Sequence, residues 1–306
     1  MELIKRKEIK ISNEIFSYLH LEGKAKDKNL FFFHATGFNA ETYTPFFSKL
    51  NEFLDNEYSI FALDQRGHGL SEASALSSDL TSWKSYFSDA NNFLNNFISS
   101  ENIVMGHSMG GVVASKLVFD FKENIKKSIL LDPVLQPESL RFQMPFFNIS
   151  NKFFISLLSM FKQNRASEMI NNAKKRRYVF LNQEEIFKHY SGRGAFKYWP
   201  DEFLKAYIKG GTIEKNNQIH LSCLPEWEAK TFAVSYVART NFIPKIMTPT
   251  YVPFASSGST FSSEVRNKLK KNSKFIFEEI DGSHFFPMEK KDLICNKISR
   301  FIKGNE

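Results

Sequence analysis

Two short alternating runs open the chain. In Glu8-Ile9-Lys10-Ile11-Ser12 and again from Ile15 to Leu21, apolar and polar positions trade places, with Asn13-Glu14 as the turn between them. A period of two predicts a pair of β-strands. The next runs are of another kind. Leu30-Phe31-Phe32-Phe33, Tyr58 to Leu63, Asn102 to Met105 and Ser128 to Leu131 are short and mostly apolar. Strands covered on both faces, as in a parallel sheet, read this way. Between them the period lengthens: Leu80, Trp83, Phe87, Ala90, Phe93 and Phe97 recur at three- and four-residue steps, the stripe of an amphipathic helix. Strand and helix alternate, so the expected class is α/β with a mostly parallel sheet.

The rhythm lapses after Pro133. From about Leu135 to Trp227 the pattern predicts helices rich in Phe and Lys and no buried strand. Alternation resumes with Thr250 to Phe254 and Lys274 to Phe277, and a last helix carries Leu293, Ile294, Ile298, Phe301 and Ile302 on one stripe. The organisation expected is a core from residues 1–134 and 231–306, interrupted by a helical cap at 135–230.

Composition narrows the class. With 306 residues the chain can bury a large core, and its 42% apolar and 24% charged residues are those of a soluble globular protein. The net charge of +8 follows no nucleic-acid-binding motif, so it reads as a Lys-rich surface and no nucleic-acid partner is expected. Cys223 and Cys295 lie far apart without metal-ligand spacing, which argues against a disulfide framework and for a reducing compartment. The start of the chain lacks the apolar stretch of a signal peptide, and no run of eighteen apolar residues occurs. A cytoplasmic protein without an integral membrane segment is expected; composition says nothing of its oligomeric state.

The chemistry concentrates in a few turns. Gly106-His107-Ser108-Met109-Gly110-Gly111 follows a predicted buried strand and opens a predicted helix. A serine on so tight a turn is forced into a strained backbone, and neighbours without side chains relieve the crowding. Its hydroxyl is then exposed above the sheet edge, and the N–H of Met109 points to the same place. His284 lies in an Asp281-Gly282-Ser283-His284 loop between the last strand and the closing helix, and a near-neutral imidazole there suits a general base.

His34-Ala35-Thr36-Gly37-Phe38, Asp64-Gln65-Arg66-Gly67-His68-Gly69-Leu70-Ser71, Gly106 to Gly111 and Gly282-Ser283-His284-Phe285 together resemble the α/β-hydrolase superfamily, in order and spacing, over residues 28–134 and 245–303. The resemblance implies an eight-stranded, mostly parallel sheet with helices on both faces and an inserted helical cap. It implies Ser108 as nucleophile, His284 as base, and an oxyanion hole from the N–H groups of Met109 and Thr36. Relatives often carry His-Gly-x-Pro where this chain has His34-Ala35-Thr36-Gly37, so Ala35 is the other candidate donor. His34 is expected to be a buried loop anchor. Asp64, with Arg66, is expected to pin its loop and not to act in catalysis.

The acid is the open position. In this fold it follows the serine and precedes the histidine. The usual loop reads Phe254 to Thr260 here, with no carboxylate. Asp132, at the end of the Ser128–Leu131 strand, is the better candidate, and Pro133 favours an extended backbone there. Glu264 is the second, although Ser262-Ser263-Glu264 reads as the first turn of a helix. A chain with no acid is the third. In the cap, Pro145 to Phe161 is expected as a helix lining an acyl pocket, or else as a lid adsorbing to lipid surfaces; Lys174-Lys175-Arg176-Arg177 could grip an anion, and Phe196, Tyr198 and Trp199 could form aromatic walls. The reaction implied is cleavage of a small-molecule carboxylic ester through an acyl-enzyme, with no cofactor and no metal. Hydrolysis of a carbon–carbon bond in a diketone uses the same frame, and a noncatalytic ligand-binding relative is the reading from another class.

Overall fold

A computed structural model describes residues 4–136, 165–235 and 240–304. The helix expected over Pro145 to Phe161 falls outside the described residues. Eight strands form the central sheet: β1 (Lys5–Ile11), β2 (Glu14–Leu21), β3 (Lys28–Phe33), β4 (Ser59–Leu63), β5 (Glu101–His107), β6 (Ile125–Leu131), β10 (Thr250–Ala255) and β11 (Phe275–Ile280). Their order is β1-β2-β4-β3-β5-β6-β10-β11, antiparallel from β1 to β4 and parallel beyond. The opening hairpin turns at Ser12 and Asn13, both at positive φ (48° and 70°), the geometry whose twist matches the flanking strands.

Helices α1 (Thr44–Phe53), α2 (Lys84–Asn95), α3 (Met109–Asp120), α8 (Ser263–Leu269), α9 (Phe286–Glu289) and α10 (Lys291–Lys303) belong to the same layered core. The sheet divides the apolar residues in two. Leu30 and Phe32 of β3 pack with Phe46, Phe47, Ile294 and Ile298 on one side; Phe31 and Phe33 pack with Phe93, Val112 and Val113 on the other. Alternate residues of one strand thus fill both layers, which is why β3 reads as an unbroken apolar run.

Between the two halves of this core, residues 165–235 form α4 (Arg165–Lys174), α5 (Gln183–Tyr190), α6 (Asp201–Gly210) and α7 (Pro225–Ala233). This stretch is not wholly helical. Strands β7 (Val179–Phe180), β8 (Thr212–Lys215) and β9 (Gln218–Leu221) make a small antiparallel sheet in the order β7-β9-β8. Its hairpin turns on Asn216 and Asn217 at φ 53° and 56°, an asparagine pair that tolerates the left-handed region. The end of α6 lies on the stretch after β3: a Cβ on Gly210 would stand 2.2 Å from the Cβ of Glu41.

The register of the parallel strands positions the site. Phe33 of β3 pairs with Gly106 of β5, and His107 of β5 with Leu131 of β6. Those strands therefore end at one level, and the turns carrying His34, Ser108 and Asp132 emerge together at the carboxyl edge, where open α/β sheets bind ligands. A surface hollow of about 360 Å³ lies elsewhere, at the β1–β2 edge, lined by Lys5, Lys7, His20 and Lys24 among others. Lysines on an edge strand discourage pairing with another chain.

Candidate active site

Ser108 joins β5 to α3 with φ 58° and ψ −117°. A non-glycine residue in that region carries strain of about 1–3 kcal/mol. Close packing around it holds the turn. A Cβ on Gly106 would stand 2.0 Å from the carbonyl oxygen of Gly110, and one on Gly110 would stand 1.9 Å from that of Phe33. The two glycines let the helix start directly on the strand. Backbone bonds complete the turn: Ser108 N–H donates to Leu131 O at 3.0 Å, and Gly111 N–H to Ser108 O at 3.1 Å. Met109 is the first residue of α3, so its N–H has no acceptor within the helix.

The His284 loop reaches this turn from the far end of the chain. His284 Nδ1–H donates to Asp132 Oδ2 at 2.5 Å. His107, next to Ser108, donates from Nε2 to the carbonyl oxygen of His284 at 2.9 Å, and the two rings lie 4.8 Å apart. Ser283 is tied to Glu289, its N–H donating to Oε2 at 3.0 Å and its hydroxyl to Oε1 at 2.5 Å. Glu289 was not among the expected residues; it acts as a clamp beneath the histidine loop.

Asp132 is fully buried and has φ 39°, so its backbone is not in the extended form expected before Pro133. The reason lies in its partners. Turned back, the carboxylate accepts from Ala255 N–H (3.2 Å), Thr260 N–H (3.0 Å), the Ser259 hydroxyl (2.5 Å) and His284. Burial pushes its pKa up, but the His284 bond and charge, with Ser259 and Thr260, outweigh that and hold it below the ordinary carboxylate range. The loop after β10 therefore supplies donors where it lacks a carboxylate. Glu264 is elsewhere: it sits in the first turn of α8, half exposed and paired with Lys268 at 2.8 Å.

The loop from His34 to Phe38 is held from three directions. His34 is buried, accepts from Gln65 N–H at Nε2 (3.0 Å), and donates from Nδ1 to Ala35 O (2.8 Å). Burial lowers its pKa to about 4, so it is a neutral loop anchor. Tyr43, unforeseen in the sequence, links two turns: its oxygen accepts from Ala35 N–H at 3.3 Å and its hydroxyl donates to His107 Nδ1 at 2.8 Å. A hydrogen-bonded chain thus runs from the 34–38 loop through Tyr43 and His107 to His284. At Gly37, φ is 79° and a Cβ would stand 2.4 Å from Glu228 Oε1. Thr36 is buried, its hydroxyl on Met109 Sδ at 3.4 Å.

Asp64 is also a buried anchor, but its partner is Arg6, not Arg66. It accepts from Arg6 at 2.5 Å, from Ala40 N–H at 2.8 Å and from Leu70 N–H at 3.0 Å, while Arg66 forks onto Asp89.

The 165–235 segment faces this edge with aromatic rings. Phe38 lies 5.2 Å from Trp199 and 6.2 Å from Phe196, and Phe285 lies 5.9 Å from Trp199. Tyr198 differs: it is 63% exposed. Of the basic run, Lys174 and Lys175 are exposed, and Arg177 pairs with Glu185 at 2.6 Å. Only Arg176 turns inward, where it pairs with Glu228 at 2.6 Å and donates to the hydroxyls of Tyr190 and Tyr207. Each of its three nitrogens is engaged by the protein itself. Among the described residues no group of three or more His, Cys, Asp and Glu could hold a metal ion, and no helix is long and apolar enough to cross a membrane.

Comparison with known proteins agrees with this architecture. The family described as serine aminopeptidase, S33, matches residues 24–192, more than half of the chain. Among solved structures, E-2-(acetamidomethylene)succinate hydrolase superposes with a TM-score of 0.77 at 13% identity, over 98% of this chain and 100% of that one. A peroxisomal α/β-hydrolase from Saccharomyces cerevisiae gives 0.72 at 16% identity, over 99% and 88%. A thioesterase domain from the curacin biosynthetic pathway gives 0.71 at 14%, over 97% and 99%. No curated protein matches. Identities this low speak for the fold alone, but the family match covers the serine turn and the loop before it, and the chain belongs to the serine aminopeptidase S33 family of α/β-hydrolases.

Proposed function

We propose that this hydrolase cleaves a carboxylic ester of a small molecule in two acyl-transfer steps, with Ser108 as nucleophile, His284 as base and Asp132 as the acid. The observation that carries the reading is the bond from His284 Nδ1–H to Asp132 at the level of the strained Ser108 turn. With its proton directed at Asp132, the imidazole keeps the Nε2 lone pair free. His284 takes the hydroxyl proton as Ser108 Oγ attacks the carbonyl carbon. The N–H groups of Met109 and Thr36 receive the oxyanion, a contribution of about 10²–10³ in rate for each donor. Collapse breaks the carbon–oxygen bond, and His284 returns the proton to the leaving alcohol. Water then attacks the acyl-enzyme, His284 taking its proton, and the acid is released with Ser108 restored.

In this reading residues 135–230 are a cap whose rings from Phe196 and Trp199 wall the acyl site, and the Arg176–Glu228 pair braces the oxyanion loop from the cap side. We further propose a cytoplasmic location, because Cys223 and Cys295 are both buried free thiols. Amide cleavage is the second reading, favoured by the family description and tested with p-nitroanilides.

The decisive experiment is hydrolysis of p-nitrophenyl butyrate together with labelling by a fluorophosphonate. Wild type is expected to turn over and to be labelled, and Ser108→Ala to do neither. An unlabelled wild type, or an active Ser108→Ala, overturns the assignment.

A further inference from the structure

We propose that the indole N–H of Trp199 is a substrate-binding donor, and that the preferred acyl group carries a carbonyl oxygen a few bonds from the scissile carbon. The inference rests on the esterase reading and names the substrate class for it. Trp199 is 8% exposed, and its Nε1 is buried with no hydrogen-bond partner among the described residues. Its position ties it to the reaction. The ring packs against both Phe38, two residues beyond Thr36, and Phe285, which follows His284.

Among the described residues no acceptor of that cluster reaches Nε1. Phe38, Phe196, Phe203 and Phe285 are hydrocarbon, and the hydroxyls of Tyr190 and Tyr207 are taken by Arg176. Ring faces are weak acceptors and do not replace an oxygen. A buried donor left unpaired costs the protein stability. Phenylalanine would fill most of the same space without that cost, and this chain uses it at 33 positions, four of them around Trp199. A donor kept in such surroundings is satisfied when the bound acyl group brings the acceptor. A buried polar group of this kind also discriminates against an analogue that lacks its partner.

The test compares p-nitrophenyl hexanoate with its 4-oxo and 5-oxo analogues. Wild type is expected to prefer one oxo ester by about tenfold in kcat/KM, the factor a neutral hydrogen bond supplies. In Trp199→Phe the ratio should fall to about one, whatever the absolute rate. A wild-type ratio near one for both oxo esters, which needs no variant, overturns the proposal; so does a preference that survives in Trp199→Phe. Calorimetry on Ser108→Ala with hexanamide and its 4-oxo and 5-oxo analogues repeats the comparison without turnover. Equal Kd values there refute the donor. Absent ester turnover with tighter oxo-amide binding, lost in Ser108→Ala/Trp199→Phe, upholds the donor while refuting the esterase reading.

Discussion

Lowering the pH from 7 to 5 should destabilise this protein through three buried histidines. His34, His68 and His107 are each at most 1% exposed. Burial lowers their pKa values from the ordinary 6.5 to about 4, about 3 and about 3. Hydrogen bonding points the same way, since His34 Nε2 accepts from Gln65 and His107 Nδ1 from Tyr43, and protonation would remove both acceptors. The sign follows from linkage. Below 6.5 the unfolded chain takes up protons that the folded protein refuses, so this stability is complete above 6.5 and is lost as pH falls toward the folded values. At pH 5 each histidine removes about 2 kcal/mol and the three about 6 kcal/mol. That is comparable with the whole stability of a domain, about 5–15 kcal/mol. Asp132 acts in the same direction, but only near and below its ordinary carboxylate value, outside this window. Urea unfolding at pH 7, 6 and 5 measures the effect, and the free energy should fall with a slope approaching about 4 kcal/mol per pH unit near pH 5. A slope corresponding to less than one proton between pH 6 and 5 would refute the reasoning. So would the assigned imidazole resonances of His34, His68 and His107 titrating near 6.5 in the folded protein.

Two pairs of substitutions test the acid and the serine turn. Asp132→Asn should lower kcat on the order of 10⁴ by losing the ionised partner that fixes the His284 tautomer, while Glu264→Gln, on the exposed first turn of α8, should change it little; steady-state assays on p-nitrophenyl butyrate decide, and the reverse pattern would reassign the acid. Gly110→Ala should destabilise the fold on the order of 3 kcal/mol, since its Cβ meets the Phe33 carbonyl, whereas Gly192→Ala, with open space around it, should cost about 1 kcal/mol of backbone strain at φ 70°; urea midpoints compare the two.

What the residues alone determine is local. A short apolar run such as Phe31–Phe33, closed by a Gly-containing turn, reads as a strand covered on both faces, and Gly106, Ser108 and Gly110 are legible because their reasons lie within a few residues or in the strand beside them. The Asn216–Asn217 hairpin was not read from the sequence, because its short alternating runs lie in a stretch where helical periods dominate. The tertiary structure decided the long-range pairings. Asp132 and His284 are 152 residues apart, and the carboxylate turns toward the imidazole because β6 lies between β5 and β10, which brings Ser259 and Thr260 to it. The same holds for Tyr43 between Ala35 and His107, for Arg6 on Asp64, and for Arg176 turning from its basic neighbours to Glu228. Steric rules act between neighbours and leave their mark in the sequence. The partner of a buried polar group is whichever complementary atom the strand order delivers, and no pattern along the chain encodes that distance.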